Sequence, residues 1–99
     1  MESRVEGAEL SARFEKSSEG LQLAVTNLGP NHANLIAVQV LGEFITLDGR
    51  PDLEDIHLGE GEMYLMKAFV SRPTPPTVRL VMVWVDSRGT QSREQTLTV

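Results

Sequence analysis

The chain has 99 residues, a formal charge of −5 and no cysteine, so we expect one domain without disulfides or thiolate metal sites. Its nine lysines and arginines are scattered singly, which argues against nucleic acid as a partner because binding needs cations gathered on one surface. The longest apolar run covers residues 80–85, far short of the roughly 20 residues that span a bilayer. We therefore expect no membrane insertion by this segment.

Apolar and polar residues alternate with a period of two along most of the chain, which is typical of β-strands. In residues 8–14, for example, alanine, leucine, alanine and phenylalanine alternate with glutamate, serine and arginine. The pattern predicts seven or eight strands, at residues 8–14, 21–25, 34–40, 44–47, 56–58, 62–70, 77–86 and 90–99.

The stretches between these segments contain glycine, proline, asparagine and serine, which favour turns. Residues 86–89, Asp-Ser-Arg-Gly, predict a tight hairpin in which Gly89 takes a positive φ. No stretch of ten residues has the apolar spacing of an amphipathic helix. We expect a frayed N-terminus at residues 1–7 and one all-β domain over residues 8–99, built as a sandwich or barrel.

Three short motifs follow one another along the chain. They are Asn27-Leu28-Gly29-Pro30 before the apolar residues Ala33, Ile36, Val38 and Val40, then Leu58-Gly59-Glu60-Gly61-Glu62, and last Trp84-Val85-Asp86-Ser87-Arg88-Gly89. Their order resembles that of bacterial immunoglobulin-like domains, including the cell-adhesion-related type and its fibronectin type III-like relatives. In those domains an N-x-G turn enters the third strand, an L-x-P-G-E turn precedes the fifth, and an aromatic-x-D-x-x-G hairpin joins the last two.

The resemblance covers about residues 8–99 and implies an immunoglobulin-like antiparallel β-sandwich of seven to eight strands. The chain departs from the family at Glu60, where proline is usual. It also departs from antibody-type domains, because it has no cysteine pair and no tryptophan on the third strand. The fold hosts many unrelated roles, so the resemblance says little about function.

Candidate residues for chemistry are few, and we expect neither a cofactor nor a catalytic site. His32 and His57 are the only histidines, and solvent exposure explains them better than a metal site. The acidic residues Asp48, Asp52, Glu54 and Asp55 share one segment, but their spacing does not match an EF-hand loop. The P-x-x-P spacing in residues 72–76 is explained better by a rigid loop than by a recognition peptide.

Two predicted strands are apolar on both faces, although the outer face of a sandwich strand is usually polar. The two strands are residues 34–40 and residues 77–86, and they are neighbours in an immunoglobulin-like sheet. With Trp84 placed inside, residues 77–86 turn three valines outward. The predicted outer patch consists of Leu35, Ala37, Val81, Val83 and Val85. Three interpretations stay open: contact with a partner, coverage by the chain itself through residues 48–58, and harmless scatter of good strand formers.

The sequence thus favours a non-catalytic immunoglobulin-like module that acts as a spacer or protein-interaction domain. Its partner would be another protein or a second copy, bound through an apolar sheet face. Such a module would belong to a larger bacterial protein, in the cytoplasm or the cell envelope. The alternative is an accessory module of an enzyme or a surface protein that binds carbohydrate or calcium.

Overall fold

The computed structural model describes residues 7–18, 20–42, 45–47, 52–70 and 77–98. All regular elements in this part of the chain are β-strands, as the period-two pattern predicts. They are β1 (Leu10–Ser17), β2 (Gly20–Asn27), β3 (Ala33–Leu41), β4 (Ile45–Leu47), β5 (Asp52–Leu58), β6 (Met63–Val70), β7 (Thr77–Asp86) and β8 (Gly89–Thr98). Of the predicted frayed segment 1–7, only Gly7 is among the described residues, and the predicted domain extent stays a prediction.

The strands form two four-stranded antiparallel sheets, which confirms an all-β, sandwich-like architecture. Sheet A has the order β1-β2-β6-β4, and sheet B has the order β5-β3-β7-β8. The predicted pairing of the third segment with residues 77–86 is confirmed, because β3 lies beside β7. Both β1 and β8 are edge strands, and they lie on the same side of the molecule.

The core lies between the two sheets and is built from one face of each strand. On β7 the inward positions are Val78, Leu80, Met82 and Trp84, all of them buried, so Trp84 has the inward placement that the predicted outer patch assumed. The buried members from both sheets form one apolar cluster, and Phe14 and Tyr64 pack against its margin. Because each strand buries every second residue, the other face of each sheet is left toward solvent.

The β7–β8 hairpin confirms the turn predicted for residues 86–89. Gly89 has a φ of +100°, a conformation that residues with a side chain rarely adopt. The Asp86 carboxylate accepts a hydrogen bond of 2.8 Å from the Arg88 backbone N–H, which closes the turn from within. The strands on either side pair in register from Asp86–Gly89 to Thr77–Thr98.

Candidate functional site

The predicted patch lies on the outer face of sheet B, and the structure places four of its five residues there. Val81, Val83 and Val85 point outward from β7 and are half-buried, and Ala37 lies directly opposite Val83 on β3. On the other side of β7, Glu94 and Ser92 lie opposite Val81 and Val83. We call this surface the Val83 face; its described outward residues on β3, β7 and β8 are Asn34, Ala37, Gln39, Leu41, Thr77, Arg79, Val81, Val83, Val85, Thr90, Ser92, Glu94, Thr96 and Thr98.

Leu35 is not on the Val83 face, and its predicted outer position is wrong. Leu35 pairs with Trp84 whereas Ala37 pairs with Val83, so two steps on β3 match a single step on β7. This β-bulge makes Ile36 the extra residue, and an extra residue reverses which side chains point inward. Leu35 is therefore 0 % exposed in the core. Ile36, which lies between Leu35 and Ala37 and which an uninterrupted period-two pattern would therefore place in the core, is only half-buried and does not belong to the core cluster.

The Val83 face is crossed by polar groups. Arg79 and Glu94 form an ion pair of 2.7 Å between β7 and β8. At the other end Asn34 lies opposite Val85, and its side-chain oxygen Oδ1 is buried without a hydrogen-bond partner among the described residues. The described part of the segment 48–58 forms β5 at the edge of the sheet, beside β3, and so extends the sheet rather than covering its face.

The more exposed apolar surface is the outer face of sheet A, which sequence reasoning missed. Met63 and Leu65 on β6 are each 47 % exposed, and Phe69 is 55 % exposed. The intervening residues Met66 and Ala68 are buried in the core. The run Met63-Tyr64-Leu65-Met66 is apolar on both faces of its strand. The same criterion that singled out residues 77–86 therefore marks β6 as well.

Strand pairing fixes the neighbours of this stripe. Leu65 lies opposite Ala24 on β2, and Ala24 lies opposite Arg13 on β1. Ala24 is 0 % exposed although it lies outside the core cluster, because a methyl group between two longer side chains is shielded by them. We call this surface the Leu65 face; its described outward residues are Ser11, Arg13, Glu15, Gln22, Ala24, Thr26, Thr46, Met63, Leu65, Lys67 and Phe69.

Two shallow depressions lie at opposite ends of the Leu65 face. One, of about 260 Å³, is lined by Arg13, Thr26, Leu28 and Met63 among others. The other, of about 250 Å³, is lined by Gln22, Lys67 and Phe69 among others. Leu28 is 59 % exposed and extends the apolar surface beyond the end of β2.

Asn27 holds the strand ends beside the first depression in place. Its Nδ2 donates to the carbonyl oxygens of Asn31, at 2.7 Å, and Leu58, at 2.9 Å. Its Oδ1 accepts from the backbone N–H groups of Glu9, at 3.2 Å, and Gly29, at 3.0 Å. All four hydrogen-bonding positions of this buried amide are used, which explains an asparagine in the core.

Gly29 completes the turn after Asn27. A Cβ at this position would lie 2.7 Å from the backbone nitrogen of Glu9, so only glycine lets residues 7–9 approach this closely. The backbone N–H of Asn27 donates to the carbonyl of Glu62 at 3.0 Å, and Gly61 donates to the carbonyl of Asn27 at 2.7 Å. The first two sequence motifs are therefore in direct contact.

Asp86 joins the start of sheet A to the β7–β8 hairpin. Its carboxylate, with a side chain 0 % exposed, pairs with Arg88 at 2.6 Å. It also accepts hydrogen bonds of 3.1 Å from the Ala8 backbone N–H and from Trp84 Nε1. The hydrogen bonds from Arg88 outweigh burial and hold the pKa of Asp86 far below its usual value of 3.8. The carboxylate is thus a structural anion rather than a proton donor at neutral pH.

Side chains of β8 and of the turn before it bind the outer edge of β1 and the residues that lead into it. The Gln95 amide accepts from the Ala12 N–H at 3.0 Å and donates to the Ala12 carbonyl at 2.9 Å. Arg93 donates to the carbonyl of Leu10 at 3.1 Å, and Arg88 donates to that of Ala8 at 2.8 Å. These side chains replace the missing neighbour strand and shield this edge from pairing with another chain.

An open cleft of about 600 Å³ lies at the same end of the molecule, between residues 7–9, residues 28–30 and the hairpin. Its two arginines already have partners, because Arg88 binds Asp86 and Arg93 binds Leu10 and lies 3.7 Å from Glu9. The cleft therefore offers an anionic ligand no free charge, and its groups join the strands around it.

Other ligand chemistry has little support in the described residues. These residues contain no group of three or more histidine, aspartate or glutamate side chains placed to hold a metal ion. His32 and His57 are exposed. Asp48 and the side chains of Asp52, Glu54 and Asp55 lie outside the described part of the chain, as does the loop 72–76. A carbohydrate platform needs several exposed rings, and Phe69 is the one exposed aromatic side chain described.

Comparison with known proteins adds no assignment to this geometry. No protein-family model, no curated protein and no solved structure matches the chain. In the part of the chain that the structure describes, no helix has the length and apolar character to cross a membrane.

Proposed function

We propose that this chain is a non-catalytic immunoglobulin-like module that binds another protein through the Leu65 face. The observation that carries the proposal is the row of exposed apolar side chains on β6, with Met63, Leu65 and Phe69 about half accessible to solvent. Scattered single apolar residues are normal on a protein surface, whereas a contiguous group on a sheet marks a contact site. Methionine and phenylalanine are among the residue types enriched in such contacts.

The order of the strands supports the immunoglobulin-like part of the proposal. Sheets β1-β2-β6-β4 and β5-β3-β7-β8 correspond to the orders A-B-E-D and C′-C-F-G of that fold. One feature differs, because β4, in the D position, precedes β5, in the C′ position, along the chain. The contact between the turns at Asn27 and Gly61 also supports the proposal, since the family motifs fall at these two turns.

A spacer within a larger bacterial protein is the second form of the module, and the Leu65 face favours interaction over spacing. A spacer needs a polar exterior, because exposed apolar surface promotes unwanted association. A single leucine or methionine at nearly half exposure would be ordinary, but here Met63 and Leu65 follow one another on one face of β6, with Phe69 two positions beyond Lys67. This row makes contact the role that the surface supports best.

A photo-crosslinking experiment in the cells that produce the protein tests the proposal. A benzoylphenylalanine residue replaces Leu65 in one variant and Gln39 in the control, because Gln39 is an exposed residue of the Val83 face. We expect irradiation to give an adduct of discrete mass from the Leu65 position and none from the Gln39 position. An adduct from Gln39 alone, or from neither position, would contradict the proposal.

A further inference from the structure

We infer that the occupant of the Leu65 face is a second copy of this chain, packed face to face about a two-fold axis. This inference rests on the proposed function and names the partner. The two-fold axis lies in the plane of contact between sheet A of one copy and sheet A of the other, and it runs perpendicular to the strands. It passes midway between the row Arg13-Ala24-Leu65 and the row Glu15-Gln22-Lys67, which strand pairing places next to each other.

The charges of the face are self-complementary in this arrangement. The axis exchanges the two rows, so Arg13 of one copy lies over Glu15 of the other, and the same contact occurs twice. Within one chain Arg13 already pairs with Glu15 at 2.7 Å, and its exposed guanidinium has further N–H donors that can bind Glu15 of the other copy as well. The outward charges Arg13, Lys67 and Glu15 sum to +1 on a chain of −5, so two copies meet here with little net repulsion.

The apolar side chains and the depressions are complementary in the same arrangement. The axis brings Met63 of one copy over Phe69 of the other, and a methionine sulfur beside an aromatic ring is a favourable contact. Phe69 of the second copy then faces the depression beside Met63 and Leu28, and Met63 faces the depression beside Phe69. Leu65 lies over the aliphatic part of Lys67, whose ammonium group still reaches solvent.

The outline of the face is smaller than the area that a standard interface buries, and side-chain relief and the exposed Leu28 add to it. Three strands of eight residues and the three residues of β4, at about 4.8 Å per strand and about 3.3 Å per residue, give an outline of about 430 Å². A standard interface buries about 800 Å² per partner, roughly one eighth of the 6320 Å² accessible surface of this chain. Two sheets that pack in this way lie about 10 Å apart with strands within about 30° of each other.

A charge-reversal series on the purified full chain tests the inference by sedimentation equilibrium. We expect the wild type to dimerise, and Leu65→Lys to be monomeric. Arg13→Glu and Glu15→Arg are each expected to weaken the dimer about tenfold, because each places like charges opposite one another twice. The double variant Arg13→Glu/Glu15→Arg restores complementarity and is expected to recover most of the affinity. Gln39→Lys on the Val83 face is the matched control and should dimerise like the wild type.

The outcomes separate this inference from the proposed function. A wild-type chain that stays monomeric at high concentration, together with a Leu65 adduct to a different protein in cells, would overturn the dimer and leave the function standing. A dimer that survives Leu65→Lys but not Gln39→Lys would overturn both. Equal weakening by the two single reversals without recovery in the double variant would overturn the arrangement of the copies. Circular dichroism of each variant checks that the sheets are retained.

Discussion

The outer faces of the two sheets are both apolar at their centres, yet they differ in how far their side chains reach into water. On the Val83 face the valines are half-buried, whereas Met63, Leu65 and Phe69 stand about half exposed on the Leu65 face. Valine branches at Cβ and lies close to the sheet, so neighbouring strands shield it. Its strand propensity is reason enough for its place there. Methionine and leucine on an outer face have no such reason, which makes them the stronger indication of contact.

The ion pairs of the two faces lie in different places. On sheet B the Arg79–Glu94 pair crosses between β7 and β8 beside Val81. On sheet A the Arg13–Glu15 pair runs along the edge strand β1 and does not reach β6, where Lys67 is the one outward charge among the described residues. Exposed pairs of this kind contribute only about 0–1 kcal/mol to stability. Their effect is therefore on how accessible each apolar surface is to a partner. The Arg79–Glu94 pair interrupts the Val83 face, whereas the Arg13–Glu15 pair lies at the border of the Leu65 face.

The largest expected effect tests whether Leu35 is buried in the core or lies on the Val83 face, as the sequence predicted. Leu35→Ala removes a fully buried side chain, so we expect it to lower the free energy of unfolding by about 2–5 kcal/mol. Val83→Ala, on the outer face, should lower it by less than about 1 kcal/mol. Urea denaturation measures both. Equal, small losses would mean that Leu35 faces solvent and that β3 has no bulge at Ile36.

The misplacement of Leu35 shows where the sequence is sufficient and where it is not. Period two predicts the strands and the inward residues of β7 correctly, because β7 pairs with β8 without interruption. A bulge depends on how β3 pairs with its neighbours β5 and β7, and no residue type within β3 predicts it. The Asn27 motif likewise marks a turn, but its contacts with Leu58 and Glu62 arise from the fold. The Leu65 face, in contrast, can be predicted from the sequence, because the run Met63–Met66 is apolar on both faces of its strand.

A smaller effect is expected where sheet A and sheet B are joined, at Asp86. The two faces keep their relative position partly because Asp86 on β7 binds Ala8 at the start of sheet A. Asp86→Asn replaces one acceptor oxygen by a donor group that faces other donors. We expect a loss of about 1–3 kcal/mol at neutral pH in a urea titration, from groups left without a partner. A loss near zero would mean that residues 7–9 are not held by this side chain.

The pH dependence of the stability lost in Asp86→Asn tests whether the loss comes from the Asp86 carboxylate. The pKa of Asp86 is lower in the folded state than its usual value of 3.8, so the unfolded chain binds more protons in acid. The contribution of Asp86 is therefore complete above about pH 5 and falls as pH drops through 3.8 and below. The difference in the free energy of unfolding between wild type and Asp86→Asn should shrink over this acidic range. It should stay constant at neutral pH, from about 6 to about 8. A difference that grows in acid would contradict the assignment.

The smallest expected effect belongs to the Leu65 face itself. Leu65→Thr and Phe69→Thr each remove apolar surface that is already about half in water, so we expect the stability to change by no more than about 0.5 kcal/mol. The measurement is a urea titration at low protein concentration, because a dimer gains stability by mass action as concentration rises. Val81→Thr, on the half-buried Val83 face, is the control and should cost more than either. If Leu65→Thr cost more than Val81→Thr in dilute solution, Leu65 would be packing against its own chain, and a face occupied in that way is not open to a partner.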